Sequence, residues 1–398
     1  MHHFTSTFFK KNRDKLSKVL PNSLVVLTAH SLIQKSADTT FPFRQDSSFW
    51  YMSGIDEPDI LLVLNTKNGT STLLVPEQND YQKEWDGNLD FEALKTKSGV
   101  DLVDASESLE YILKKAKKSN LSICSLEPLA EKVEPYGFYS NPARRKLYER
   151  IKSIEPEPKE IRLEIARLRQ VKQLEELTAI QSAIDITAET LKEVKKNLRH
   201  YQKEKDIERS ITAGFYDRGA NGHAYEPIIA SGKNASIIHY MKNDAKLQEN
   251  SLLLLDVGAQ VHGYYAADIS RTWAFGKSTE RHRALYTAVL TLQEKAFSML
   301  RPGVLLKEYQ EELEVYAKKV FLPLGVKINR YPHGFSHFLG LDVHDAGDYG
   351  APLPEGSVIT VEPGIYLPDE GIGIRMEDNV LITKNGIKNL SSHIPKTL

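Results

Sequence analysis

The chain has one cysteine in 398 residues, Cys124, so no disulfide can form within it and a reducing compartment is expected. No stretch approaches the ~18 consecutive apolar residues of a membrane span, which excludes a transmembrane helix. The opening MHHFTSTFFKKNRDKL lacks an apolar h-region and a cleavage site, so a cytoplasmic, non-exported protein is predicted. Charge of either sign is not in excess: Lys+Arg 52 against Asp+Glu 53 gives a net charge of −1, without the basic footprint of a nucleic-acid binder. A phosphate-cradling glycine loop followed by Lys-Ser/Thr is missing. GFSHF is not a Gly-x-Ser-x-Gly elbow, so Ser336 lacks the strained turn of a serine hydrolase. Cys124 falls in an expected strand with no histidine near it in sequence, which argues against a thiol nucleophile.

What is present is an ordinary globular composition, 41% hydrophobic and 26% charged, in a chain long enough for about two to three domains. Leu24–Leu27, Ile60–Leu64, Thr72–Val75 and Leu121–Cys124 are short β-rich runs. Between the last two, Asp104 to Lys118 carries Leu109, Ile112 and Leu113 on one helical face, which predicts an α/β domain. Over 132–160, Pro135, Gly137, Pro142 and Glu155-Pro156-Glu157-Pro158 interrupt any long element, and the boundary is placed there, giving domains 1–160 and 161–398. A helix is expected from near Lys159, with Leu174, Leu177, Ile180, Ile184, Ala188 and Leu191 as its apolar stripe. Strands are expected at Glu226–Ala230, Leu252–Val261, Tyr264–Phe275, Val358–Tyr366 and Ile372–Ile382. The helices Thr279–Leu300 and Leu305–Phe321 stand between them, parted by Arg301-Pro302-Gly303. Two hairpins should turn near Gly263 and near Asp369–Gly371.

The chemistry lies in acids embedded in these apolar strands. Asp256 ends the run LLLLD and Asp268 follows twelve residues later across a turn; Glu362 in VITVEPG and Glu377 in GIGIRMED repeat the pattern on the second hairpin, with His337 between them in sequence. An ionised carboxylate buried alone is costly, so such groups are paired or bound to metal. Four carboxylates and one imidazole would balance two divalent cations, and hard oxygen donors with one nitrogen suit manganese, cobalt or zinc. Each piece also has a plainer explanation. Arg271 or Arg375 could pair with a neighbouring acid, His333 and His337 could share a helix face, and His239 and His344 could be ordinary core or surface histidines.

The ordered contexts AYEPIIASGKNASIIHY, DVGAQVHGYYAADISRT, HGFSHFLGLDVHDAG, TVEPGIY and GIGIRMED resemble the "pita-bread" metallopeptidases, specifically the aminopeptidase P family, and FRQDSSFWYMSGIDEPDILLVL resembles that family's amino-terminal domain. The resemblance implies an α/β amino-terminal domain followed by an α+β pita-bread catalytic domain. It implies two divalent ions, most simply Mn(2+) with Co or Zn as alternatives, held by Asp256, Asp268, His337, Glu362 and Glu377. Glu362 would be the base that takes the proton of a metal-bridging water, leaving the attacking hydroxide, and His239 and His344 would contact the scissile peptide. His333, Arg375, Tyr225 and Trp85 would line the substrate pocket. The substrates implied are peptides with an Xaa-Pro amino terminus, cut by a homo-oligomer, a dimer or tetramer. One departure is visible: the family places its two aspartates eleven apart, and an extra residue in the VHGYY turn would account for the spacing here. An Xaa-Pro dipeptidase (prolidase) would share fold and ligands, and an inactive pita-bread binding module would share the fold.

Overall fold

The computed structural model describes residues 4–128 and 140–398. The chain divides into two compact units, one ending at Leu168 and one running from Arg169 to Leu398. Of the residues on which the boundary expectation rested, Pro135 and Gly137 lie outside the described residues. Pro142 caps a helix, α6 (Ala143–Lys152), which occupies the stretch expected to hold no long element. Among the described residues no helix is long and apolar enough to cross a membrane.

The amino-terminal unit contains helices α1 (Ser6–Val19), α2 (Ser47–Ser53), α3 (Asp80–Asp86), α4 (Phe91–Ser98) and α5 (Leu109–Lys118), then α6 and the start of α7 (Arg162–Gln170). Its strands are β1 (Ser23–Thr28), the small hairpin β2 (Gln34–Ser36) and β3 (Thr39–Thr40), β4 (Leu61–Asn65), β5 (Thr70–Val75), β6 (Leu102–Ala105), β7 (Ser122–Ser125) and β8 (Lys159–Glu160). Six of them form one mixed sheet in the order β6-β5-β4-β1-β7-β8, antiparallel through β1, β4 and β5 and parallel outside. Every residue of β1 is buried, the mark of a strand covered on both faces. Leu24 and Val26 pack with Leu109 and Leu113 of α5. Arg13 of α1 is buried and donates to the carbonyls of Met52, Ser98 and Gly99, at the C-terminal ends of α2 and α4. A guanidinium there complements two helix dipoles at once.

The helix expected from near Lys159 is two helices. Lys159–Glu160 is β8, α7 stops at Gln170, and α8 (Leu174–Lys196) begins after a break. The break is held by pairing the stripe could not reveal: Val171 bridges Ser357, and the Lys172 amide donates to Gly356 O. Leu174, expected on the apolar stripe, is exposed, while Ile180, Ile184 and Leu191 are buried.

The carboxyl-terminal unit continues with α9 (Glu204–Asp217), α10 (Glu280–Met299) and α11 (Leu306–Phe321). Its strands are β9 (Gly222–His223), β10 (Ile228–Ser231), β11 (Ser251–Val257), β12 (Ala259–Gln260), β13 (Ile269–Phe275), β14 (Val358–Val361), β15 (Gly364–Leu367), β16 (Ile372–Arg375), β17 (Asp378–Thr383) and β18 (Gly386–Asn389). The described ladders here are all antiparallel: β10-β11-β13, β14-β17-β18, β15-β16 and β9-β12. Helices α10 and α11 pack with the second hairpin in one core containing Leu285, Leu292, Tyr309, Phe321, Ile359 and Ile374. This is the α+β arrangement expected from the sequence.

Three strands expected as continuous are cut in two: Leu252–Val261, at Gly258, and both strands of the second hairpin. The second hairpin is β14 paired with β17 in one sheet and β15 paired with β16 in another, and the cuts fall at Glu362-Pro363 and Met376-Glu377. Proline has no N–H to give a ladder. The Glu362 amide instead donates to Phe335 O (3.0 Å) and the Glu377 amide to Ser270 O (3.1 Å), so both glutamates leave their own ladder and are tied to other segments.

Candidate metal centre

Register decides which way the two aspartates point. In the β11–β13 ladder Asp256 faces Ser270 and Val257 faces Ile269. Asp268, two residues before Ser270, is therefore a diagonal neighbour of Asp256 on the same face. Beyond the ladder the chain between them turns where Gly263 and Tyr264 both have positive φ (81° and 68°) and the Tyr264 amide donates to Val261 O. Just before that turn Gly258 runs so close to the opposite strand that a Cβ would lie 1.8 Å from Ala267 O, which only glycine permits.

His337 comes from the segment 335–339, which lies along β14: Phe338 bridges Ile359, the Thr360 amide donates to His337 O, and the Leu339 amide to Val358 O. His337 Nε2 stands 3.4 Å from Asp268 Oδ2 and 3.4 Å from Glu362 Oε1. The ligand atoms of Asp268, His337 and Glu377 lie within 4.8 Å of one another, and all three residues are buried. Tyr225 hydroxyl reaches Asp256 Oδ1 (2.5 Å) and Asp268 Oδ1 (2.7 Å), bringing Asp256 to the same place. All five residues that the sequence singled out as ligands thus converge.

Their electrostatics show a site short of positive charge. Burial, then the carboxylates of Asp268, Glu362 and Asp256, hold the Glu377 carboxyl well above the ordinary range. Burial, together with Asp268 and Asp256 and offset by His337 and Arg375, pushes Glu362 up to about 7. Burial disfavours the His337 cation, but its hydrogen bond to Asp268 and the Glu362 charge outweigh that and raise its pKa. Glu377 Oε2 accepts from Ser270 Oγ (2.9 Å), while Oε1 is buried with no hydrogen-bond partner. An orphaned carboxylate oxygen in a buried cluster of four acids is what a cation would satisfy. Four carboxylates and one imidazole form a hard donor set that fits manganese, cobalt or zinc. The residues present fit a bound divalent metal.

Around this cluster runs a second network. Buried Arg375 donates from Nε to Ser270 Oγ (2.8 Å), from Nη1 to Tyr366 Oη (2.7 Å) and from Nη2 to Asp256 Oδ2. With Tyr366 oxygen accepting from Arg375, its proton goes to His333 Nε2 (2.9 Å). That leaves the His333 proton on Nδ1, toward Gly334 O (2.7 Å). Burial and Arg375 lower the His333 pKa to about 4, so this neutral ring is the stable form.

The remaining expected residues fall in different places. His344 is exposed, its ring 4.3 Å from that of His337 and nearly perpendicular. His239 is exposed and near enough to His333 to bear on it electrostatically. Tyr225, expected in the pocket, has its hydroxyl on the two aspartates. Trp85 belongs to the amino-terminal unit, where it is 70% exposed and stacks on Tyr81. Sequence reasoning passed over Ser270, Tyr366 and Asn379. Ser270 was recoverable, because a residue two after Asp268 on a strand shares its face. Asn379 was not: its side chain brackets the backbone of Asp268, accepting from the amide (3.2 Å) and donating to the carbonyl (2.6 Å) across 111 residues.

Comparison with known proteins agrees over the whole length. Residues 178–384 match Metallopeptidase family M24, and residues 9–124 match the aminopeptidase P N-terminal domain. The Xaa-Pro aminopeptidase of Haemophilus influenzae is 32% identical, the match covering 98% of this chain and 95% of that protein. The mitochondrial intermediate cleaving peptidase 55 of Arabidopsis thaliana is 27% identical over 97% of this chain and 80% of its own. Aminopeptidase P from Escherichia coli, solved with the inhibitor Pro-Leu, superposes with a TM-score of 0.84 at 28% identity, covering 99% of this chain and 97% of that one.

Proposed function

Because the chain belongs to metallopeptidase family M24, we propose that it is a metal-dependent aminopeptidase releasing the first residue of peptides whose second residue is proline. The observation that carries this reading is the buried, unpartnered Glu377 oxygen inside a cluster of four acids and one histidine. Asp256, Asp268, His337, Glu362 and Glu377 would hold two divalent ions, with manganese the proposed pair. Bound there, such ions supply Lewis-acid polarisation of the scissile carbonyl and lower the pKa of an attacking water.

The chain's own groups do the rest. Glu362 takes the proton of the attacking water at its carboxylate and returns it to the departing proline nitrogen. His344 and His239 donate toward the carbonyl oxygen as charge develops on it. Both nitrogens of His333 are already engaged by Tyr366 and Gly334. It therefore offers the substrate a ring surface, a wall suited to a pyrrolidine ring that has no N–H to bind. Tyr225 orients Asp256 and Asp268. A cytoplasmic homo-oligomer, a dimer or tetramer, completes the proposal, and light scattering reads its size.

His344→Ala is expected to lower kcat by roughly 10²–10³, the usual effect of losing one oxyanion donor, with metal content unchanged. Metal analysis beside the rate measurement separates a donor from a ligand: lost metal would make His344 a ligand, and an unaltered rate would make it structural.

Substrate length tests the activity itself. A dipeptidase needs a buried cation for the free proline carboxylate. The arginine of this site, Arg375, is already committed to Asp256, Tyr366 and Ser270. Xaa-Pro-Xaa peptides should therefore be cut at least as fast as Xaa-Pro dipeptides, compared as kcat/KM with added manganese. A dipeptide preference above about a hundredfold would establish the prolidase reading instead.

A further inference from the structure

Glu204 opens α9 with its side chain fully buried and no salt-bridge partner among the described residues; the neighbouring Lys205 pairs with Glu208 instead. A carboxylate buried without a counter-charge is tolerated only when its oxygens are saturated with hydrogen bonds. Those of Glu204 are. Oε1 accepts from the Ser231 amide (2.8 Å) and Asn234 Nδ2 (3.0 Å), and Oε2 from Tyr240 hydroxyl (2.8 Å) and the Ala245 amide (3.0 Å).

All four donors belong to one segment, 231–245, which links β10 toward β11 and carries His239. Apart from Ser231, which ends β10 opposite Leu253, and one 3₁₀ turn at Gly232–Ser236, it has no regular structure of its own. Backbone pairing fixes only its ends, Ser231 in the β10–β11 ladder and Ala245 O accepting from the Glu204 amide. Between them Asn243 is tied to Glu208 and Pro227 O, and the Glu204 carboxylate gathers both ends together with Asn234 and Tyr240. The segment also packs against β16, the strand that carries Arg375. Ala235 O presses on Gly373, where a Cβ would come within 1.7 Å, two residues before Arg375. Tyr240, the neighbour of His239, packs in a small core with Ile228, Ala235 and Leu254, against which Tyr366 also packs.

We propose that Glu204 is a positioning residue acting through His239, an inference that rests on His239 being a substrate-side donor in the proposed reaction. Fixing the carboxylate fixes where His239 stands relative to His333 and Tyr366.

Glu204→Gln is the discriminating variant. Glutamine matches the shape, but its amide nitrogen must face one of the two backbone N–H groups, donor against donor. Tyr240 and Asn234 can reorient, whereas the Ala245 or Ser231 amide cannot. Hydrogen exchange should then accelerate for amides in 232–245 while the β10-β11-β13 ladder keeps its protection. With metal content unchanged, kcat on an Xaa-Pro-Xaa peptide should fall by roughly 10- to 100-fold. In a His239→Ala background the same change should cost less than about twofold, because the group it positions is gone. Tyr240→Phe, which removes one of the four donors and keeps the ring in its core, should move rate and exchange in the same direction by less.

Equal losses in both backgrounds, or unchanged exchange in 232–245, would overturn the inference. A harmless His239→Ala would do so too, while leaving metal-dependent cleavage by the unaltered protein standing. If the unaltered protein cleaved no Xaa-Pro peptide, the proposed function would fall separately, and the exchange data would still decide whether Glu204 holds the segment.

Discussion

Glu377→Ala should leave the protein folded, holding no more than one divalent ion per chain, and without measurable peptidase activity. Glu377 contributes the buried oxygen that has no partner, and its ligand atom lies with those of Asp268 and His337 within 4.8 Å of one another. Removing it takes one charge from a site whose four carboxylates would balance two divalent cations, so the second ion loses both a ligand and its electrostatic reason to bind. The fold should tolerate the change because the flanking strands are tied independently: β16 pairs with β15, and β17 with β14 and β18. Glu377→Gln keeps the volume and should fail in the same way. Metal analysis of the purified variants decides the matter, and two ions retained per chain would remove Glu377 from the ligand set.

The second large effect is on stability and concerns Arg271, directly behind the site. Arg271 and Asp378 are both 0% exposed and form an ion pair at 2.8 Å. The guanidinium also donates to the carbonyls of Ser270, Glu377, Ile394 and Pro395. Asp378 is further held by Lys396 Nζ (2.5 Å) and Ser391 Oγ (2.9 Å), and despite burial the Arg271 and Lys396 charges keep its carboxyl below the ordinary range. Arg271→Met strands that carboxylate with one partly exposed lysine and orphans several buried carbonyls. Breaking such a pair typically costs ~3–5 kcal/mol, which denaturant titration of the carboxyl-terminal unit would show. The double change Arg271→Met with Asp378→Leu should be milder than the single one, since no buried charge is left alone. If the single variant lost under ~1 kcal/mol, the pair would not be structural glue.

Much of this was legible in the sequence because burial and register are periodic. Asp256 and Asp268 stand out as acids inside apolar runs, and the ladder puts them on one strand face. The plainer reading of the arginines holds as well: Arg271 pairs with Asp378 and Arg375 with Asp256. Neither pairing competes with a metal, because the four acids still leave negative charge uncovered. What stayed hidden depends on contacts far apart in sequence. No local pattern announces that Val171 will bridge Ser357 and break the long helix, or that Asn379 will bracket the backbone of Asp268. The cuts at Glu362-Pro363 and Met376-Glu377 had half a signal. Pro363 was visible, but the partner that draws Glu377 out of its ladder, Ser270 O, lies more than a hundred residues away.

That last bond has a kinetic consequence. Each hairpin closes a short loop and can form early, since the loop-closure penalty grows only with the logarithm of its length. The ligand set is complete only when the first hairpin meets the second, through Ser270 with Glu377 and Asp268 with Asn379, closing a loop of about a hundred residues. Assembly of the cation site is therefore a late folding event. Divalent ions should slow unfolding far more than they speed refolding, because the contacts that hold them are absent from the transition state.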